Sequence, residues 1–327
     1  MQLVYFRTST PNFGDDLNAV LWPVLAPELF DDDPDTGFVG IGTIIGRPVK
    51  ASKLHVFSSG VGNDLPETWK DKDVRYWCVR GPVSTRILGL DEEYAITDGA
   101  ILTPLVEGFP KTAGPAEGTL VIPHFQTLDY PGWDEVARLS GFELLDPRGD
   151  AYEVIGRIAR ARLVLTESLH GAILADVYGV PWLAFSTSRN FGIPKWIDWT
   201  RSLGRDFRLA MVPPPDAGPV LKYGRTPAPP GQTVTYGAED AMAQFSARMA
   251  PPPFRPSAAT RIKQVVKRSP LVRPLLGFSP SRTAEALERL SRGQPEESSP
   301  ALNQRLQARM MDRLAALSKE CRPLAVQ

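Results

Sequence analysis

Short runs rich in β-branched and aromatic residues alternate, along much of this chain, with segments whose apolar residues recur at helical spacing. That alternation constrains the fold more than any other feature. Parallel strands cannot be joined by tight turns and need a crossover, usually a helix, so the pattern predicts a parallel α/β sheet. QLVYFR (Gln2–Arg7), KLHVFSSG (Lys53–Gly60) and RYWCVRG (Arg75–Gly81) read as strands. PVSTRILG then opens with proline at a first helical position, where its missing N–H costs nothing, and AITDGAILTP closes the segment.

A second α/β pattern follows a Pro/Gly-rich stretch, EGFPKTAGPAEG. GTLVIPHF and FELLDP read as strands, WDEVARLSG as a helix ending at Gly141, and DAYEVIGRIARA as a helix with Val154, Ile155 and Ile158 on its apolar face. RLVLTES, a helix from about Leu169, and VPWLAFS complete it. The expected organisation is a Rossmann-like domain over 1–106, a linker over 107–117 and a second Rossmann-like domain over 118–250, followed by a basic and helical extension over 251–327. Two such units in succession suggest a GT-B-like arrangement with a ligand cleft between them. Ligands of open α/β sheets sit beyond the carboxyl ends of strands, so residues there carry the most weight.

Composition narrows the class. Lys plus Arg and Asp plus Glu both total 37, which argues against a dedicated nucleic-acid binder. Cys78 and Cys321 lie far apart and match no zinc or disulfide spacing, so a reducing compartment is expected. The amino terminus lacks the pattern of a secretory signal, and no run approaches the roughly 18 apolar residues of a membrane span. A cytoplasmic protein is expected. From Met211 onward proline-dense segments predict extended or irregular chain, and Arg261, Lys263, Lys267, Arg268, Arg273 and Arg282 form a basic stretch. It reads either as a solvated surface or as a contact with an anionic membrane or a phosphate-bearing lipid carrier. TAEALERLSRG and ALNQRLQARMMDRLAALSKE read as two amphipathic helices.

Four groups of residues fall at predicted strand ends. His170, one of three histidines, sits in the first turn of its helix, one residue off the apolar face of Leu169, Ile173 and Val177. The helix terminus favours neutral imidazole, and a bound anion would reverse that bias and make an acid of it. The structural alternative is a histidine bonded to a neighbouring strand. In TPNFGDDLN, Asn12, Gly14, Asp15 and Asp16 offer polar groups and close backbone approach, or simple helix capping. In CVRGPVS, Arg80 can clamp a carboxylate or phosphate, with Ser84 in the next turn. In SRNFGIPKWIDW, Arg189 and Lys195 are a second anion clamp or ordinary surface charges.

Taken together, NFGDDLN, CVRGPVS, AITDGAIL, LTESLHGAILADVYGVPW and IPKWIDW resemble the polysaccharide pyruvyl transferase family, most nearly the bacterial ketal transferases of the succinoglycan type. The resemblance runs from about Tyr5 to Trp199. It implies a GT-B-like fold and transfer from phosphoenolpyruvate to a hydroxyl pair of a sugar, giving a pyruvate ketal and phosphate. No cofactor is implied. The acceptor would be a saccharide, carried on a lipid-linked oligosaccharide, with peripheral contact at the inner membrane face. The family histidine maps onto His170, its first-domain Arg and Ser onto Arg80 and Ser84, and its later basic residue onto Lys195. Many members carry Arg two residues before the histidine, where this chain has Ser168; the ESLHG form matches the succinoglycan-type branch. In the implied reaction His170 is the acid, Arg80, Lys195 and Arg189 supply positive charge, and Asp15, Asp16 or Glu167 is the base. The alternatives are a nucleotide-sugar glycosyltransferase, in which Glu167 would hold a ribose, and a non-catalytic glycan-binding relative.

Overall fold

The computed structural model describes residues 1–62, 64–249 and 278–321. Strands β1 (Gln2–Val4), β2 (Thr36–Val39), β3 (Lys53–Phe57) and β4 (Asp73–Cys78) form one sheet in that order, every pair parallel. A second sheet contains β5 (Thr119–Ile122), β6 (Glu143–Leu144), β7 (Leu163–Thr166), β8 (Trp182–Ser186), β9 (Phe207–Met211) and β10 (Thr233–Tyr236). Its order is β10-β9-β8-β7-β5-β6, and only β10 runs antiparallel to its neighbour. The α/β alternation is thus realised as two parallel-rich sheets. In β5 and β7 every residue is buried, as expected of parallel strands covered on both faces.

The helices between them are α1 (Phe13–Leu25), α2 (Pro82–Leu88), α3 (Trp133–Ser140), α4 (Ala151–Ile158), α5 (Leu169–Val177) and α6 (Ile193–Ser202). The proline-dense region after Met211 is more ordered than its composition predicts: it holds α7 (Gly218–Tyr223), β10 and α8 (Ala238–Met249). Both amphipathic tail helices are present, at Pro280–Ser291 and Pro300–Cys321. Leu306, Met310, Leu314 and Leu317 of the second turn one stripe into the core. Within the basic stretch, Arg261, Lys263, Lys267, Arg268 and Arg273 lie outside the described residues. Among the described residues no helix is long and apolar enough to cross a membrane.

Some strands are shorter than their sequences suggest. QLVYFR pairs only as far as Val4 and FELLDP only over Glu143–Leu144. Residues 107–117 form neither strand nor helix, as the Pro/Gly content predicts. The N–H groups of Gly114 and Glu117 nevertheless donate to the Ala159 and Arg160 carbonyls at 3.0 and 2.7 Å.

Two features position a site. In the second sheet β5 pairs with β6 on one side and β7 on the other, so the strand order reverses between β5 and β7. A crevice opens at such a switch point beyond the carboxyl ends. The largest apolar cluster also runs through both halves, joining Phe13, Leu17 and Trp22 of α1 to Ile155 and Ile158 of α4 and to Leu169 of α5. Helix α1 is therefore held against the start of α5.

Asn18 fixes α1 to the end of β2. Its Oδ1 accepts from Ile41 N–H at 2.7 Å and Trp22 Nε1–H at 2.8 Å, and its Nδ2 donates to the Ile41 and Asp15 carbonyls at 3.1 and 2.9 Å. Replacing Asn18 with Ala strands two buried donors. Urea unfolding is expected to show a loss of at least about 1–3 kcal/mol, the cost of one such orphan.

Candidate active site

The carboxyl ends of the parallel strands in both sheets border one cavity of about 370 Å³. The loop after β1 contributes Asn12, the first turn of α1 Asp15, the loop after β2 Gly42 and Thr43, and the segment just after β4 Arg80. From the second sheet come His124 after β5, Glu167, Ser168 and His170 after β7, and Arg189, Asn190 and Lys195 after β8. Of the residues singled out from sequence, only Gly14, Asp16 and Ser84 do not line it. Gly14 lies directly behind the lining.

His170 is the second residue of α5, only 8% exposed. Ser168 caps that helix, its Oγ accepting from Gly171 N–H at 3.3 Å, so the residue standing where many relatives have Arg has a structural task here. A Cβ on Gly14 would lie 1.9 Å from His170 Nδ1, so the backbone of α1 packs flush against the imidazole and only glycine fits. The edge of Phe13 also faces the ring, at 6.4 Å between centroids. Burial, with the charges of Lys195 and Arg80, pushes the imidazole pKa down to about 3, and the helix terminus acts in the same direction. His170 is neutral in the protein alone.

Arg80 is fully buried and so is its partner, Asp198 of α6. Arg80 Nε donates to Asp198 Oδ2 at 3.1 Å and Nη1 donates to Thr43 Oγ1 at 2.8 Å, while Nη2 has no partner. Asp198 is saturated further by Ser84, whose Oγ and N–H donate to it at 2.7 and 2.9 Å. Ser84 therefore anchors the counter-ion of Arg80 and does not reach the cavity. Gly81 permits the approach, since a Cβ there would meet the Asp198 carbonyl oxygen at 1.9 Å.

Lys195 lies three residues before Asp198 on α6 and reaches the same cavity. Burial lowers its pKa, which the carboxylate of Asp15 partly opposes. Arg189 is exposed at the rim.

The three acids considered as bases differ sharply. Glu167 Oε1 accepts from Thr187 N–H and Oγ1 at 2.6 and 2.8 Å, and Oε2 accepts from His124 N–H and Thr127 Oγ1 at 3.0 and 3.3 Å. With four bonds it ties together the loops after β5, β7 and β8, and it has no free oxygen to offer a ribose. Asp16 accepts from Asn12 N–H at 3.0 Å and caps the start of α1, together with Asn12, whose Oδ1 accepts from Gly14 N–H at 3.3 Å. Asp15 and Glu167 both line the cavity with carboxyls raised by burial; that of Asp15 is pushed up to about 7 against the opposing charge of Lys195.

Three functional positions escaped the sequence reading. Asp198 and Asp98 stood inside quoted motifs, IPKWIDW and AITDGAIL, but their partners are remote in sequence. His124 follows β5, where the strand-end rule alone would have flagged it. Its Nδ1 accepts from Gln126 N–H at 3.3 Å and from Asn190 Nδ2 at 3.2 Å, and burial and Lys195 hold its pKa down at about 3.

The family model of polysaccharide pyruvyl transferases matches residues 115–189, which span β5 to the loop after β8 and include His170. The chain belongs to this family and is an enzyme of polysaccharide pyruvyl transfer. Among its relatives is the succinoglycan biosynthesis protein ExoV of Rhizobium meliloti (strain 1021). The two are 36% identical over 219 residues, which is 65% of this chain and 68% of that protein.

Two outcomes are expected from this geometry. Asp198→Ala leaves the buried guanidinium of Arg80 without its counter-charge and should lower stability by about 3–5 kcal/mol in chemical denaturation. Gly14→Ala forces the imidazole from its place, and a displacement near 1 Å at a reacting group costs on the order of 10²-fold in turnover. Steady-state kinetics, beside a melting curve showing that Gly14→Ala is folded, would check it.

Proposed function

We propose that this enzyme transfers pyruvate from phosphoenolpyruvate to a hydroxyl pair of a sugar in an exopolysaccharide or its lipid-linked precursor. The products are a pyruvate ketal and phosphate. The observation that carries this reading is the meeting of two inward cations, Arg80 and Lys195, with a neutral buried histidine in one cavity. Phosphoenolpyruvate carries a carboxylate and a phosphate on an electron-rich double bond, so it asks for cations and a proton donor together. The convergence of strand ends from both sheets supports a GT-B-like pair of Rossmann-like domains, divided near 107–117, with donor and acceptor in the cleft between them. The relative's part in succinoglycan biosynthesis supports an exopolysaccharide acceptor.

The chemistry assigns a task to each group. The unpartnered Nη2 of Arg80 and the ammonium of Lys195 neutralise the donor anion, with Arg189 at the rim supplying the charge that relatives carry two residues before the histidine. Once the anion offsets those cations, their part of the bias against imidazolium at His170 is lifted, and the anion's own charge opposes the larger part set by burial. His170 then protonates the methylene carbon, and a sugar hydroxyl attacks the adjacent carbon. Phosphate leaves, and the second hydroxyl closes the ketal. Asp15, protonated below about pH 7 and ionised above, is placed to orient the attacking hydroxyl. The reaction would take place in the cytoplasm, with the lipid-linked acceptor presented at the inner membrane face and the basic stretch beside it.

The test is phosphate release from phosphoenolpyruvate with a panel of saccharide acceptors. Acceptor-dependent release is expected, falling by about 10²–10⁴-fold in His170→Ala, the usual worth of a general acid. Lys195→Ala should raise KM for the donor at least as much as it lowers kcat. Release unaffected by His170→Ala would move the proton donor elsewhere, and failure of phosphoenolpyruvate to bind in calorimetry would remove it as donor.

A further inference from the structure

Besides Nη2 of Arg80, two further buried polar atoms at this site have no hydrogen-bond partner among the described residues: Nε2 of His170 and Oδ2 of Asp98. They belong to neighbouring side chains. Nε2 lies 3.9 Å from Asp98 Oδ1, just beyond hydrogen-bond range. Catalytic hydrogen bonds are often this long before substrate tightens them. Leaving either group unpaired in the interior is costly, so a pairing that satisfies both is strongly favoured.

Asp98 caps the 3₁₀ turn Gly99–Leu105, its Oδ1 accepting from Ala100 N–H at 3.0 Å. One carboxylate oxygen is thereby anchored while the other is free to accept. The imidazole cannot swing away, because the Gly14 backbone of α1 packs against the base of the ring, near Cγ and Cβ, and Phe13 stands edge-on to the ring. The remaining charges are few. Lys195 from α6 and Arg80 from just beyond β4 act on His170, Arg80 and Asp198 act on Asp98, and Asp15 of α1 faces Lys195.

We propose that Asp98 is the positioning residue for His170: its carboxylate accepts the Nε2–H hydrogen bond and leaves Nδ1 to exchange the proton with substrate. The pairing itself follows from the geometry, while its use in turnover rests on the reaction proposed above. In that reaction the imidazolium gives its Nδ1 proton to the methylene carbon, whose π electrons form the new C–H bond. The first hydroxyl returns a proton to Nδ1 as its oxygen bonds the ketal carbon. The second hydroxyl closes the ring as the C–O bond to phosphate breaks, and its proton leaves with phosphate. Throughout, Nε2–H stays on Asp98, which keeps one tautomer and stabilises the imidazolium.

Burial raises the Asp98 carboxyl to about 6, with Arg80 pulling the other way. The group is ionised above that pH and protonated below it. Turnover should therefore decline as pH falls through about 6, and Asp98→Asn should lack that limb.

With three histidines in the chain, His55, His124 and His170, selective ¹⁵N labelling of histidine resolves each ring by NMR once single variants assign them. Wild-type protein alone should show His170 as the Nε2–H tautomer. Asp98→Asn should shift it toward Nδ1–H or a mixture while leaving His55 and His124 unmoved, which also shows that the variant is folded. Its kcat should drop by about 10²-fold or more with donor KM little changed, as expected for loss of a tautomer-fixing carboxylate. An Nδ1–H tautomer in the wild type would overturn the proposal, even were Asp98→Asn unable to fold. So would a His170 signal indifferent to Asp98→Asn. If phosphoenolpyruvate moves none of the three histidines, the donor assignment fails, and the tautomer still judges Asp98 by itself.

Discussion

The buried ion pair between Arg80 and Asp198 is the interaction on which the rest of the site depends. Two charges withdrawn from water are tolerated only when geometry and further hydrogen bonds compensate, and here Thr43 and Ser84 supply them. The pair also joins the two halves of the chain, since Arg80 lies just beyond β4 of the first sheet and Asp198 lies on α6 beyond β8 of the second. Because Lys195 shares α6 with Asp198 three residues away, one helix delivers both a cation and the counter-ion that orients the other cation. Any slip of α6 would misplace both together.

The site's electrostatics follow from that arrangement. Lys195 stands close to two imidazoles, His124 and His170, and Arg80 close to the second, and burial with these positive neighbours keeps both rings neutral. Positive charge is thus held by Arg80 and Lys195, while the proton-carrying group waits uncharged. On the proposed reaction, an anionic donor changes the sign of that field. The cavity is then an acid only when loaded.

What the sequence made legible was residue type and place along the chain. Strand-end weighting pointed to His170, Arg80, Arg189 and Lys195, which all line the cavity, because each lies between a parallel strand and the first turn of the next helix. It could not find the partners. Asp198 and Asp98 act on Arg80 and His170 across separations that no local pattern encodes. Ser84 was a family position whose task became clear only once Asp198 was in view. Glu167 read as a reactive acid, yet four hydrogen bonds make it a brace. Strand β2, with TGFV, went unseen because its glycine and short length imitate a turn. The region after Met211 was read as irregular because proline counts outweighed the short run TVTY.

One further property comes from the aromatic packing behind α6. Trp196, the residue after Lys195, is buried in a stack with Phe191 at 4.9 Å and Phe207 at 5.1 Å between centroids. Trp182 and Trp199 adjoin it, 5.3 Å apart. An indole packed this tightly, one peptide bond from a cavity cation, is an optical gauge built into the protein. Motion of α6 as the cavity fills would alter the emission of Trp196 without any attached label.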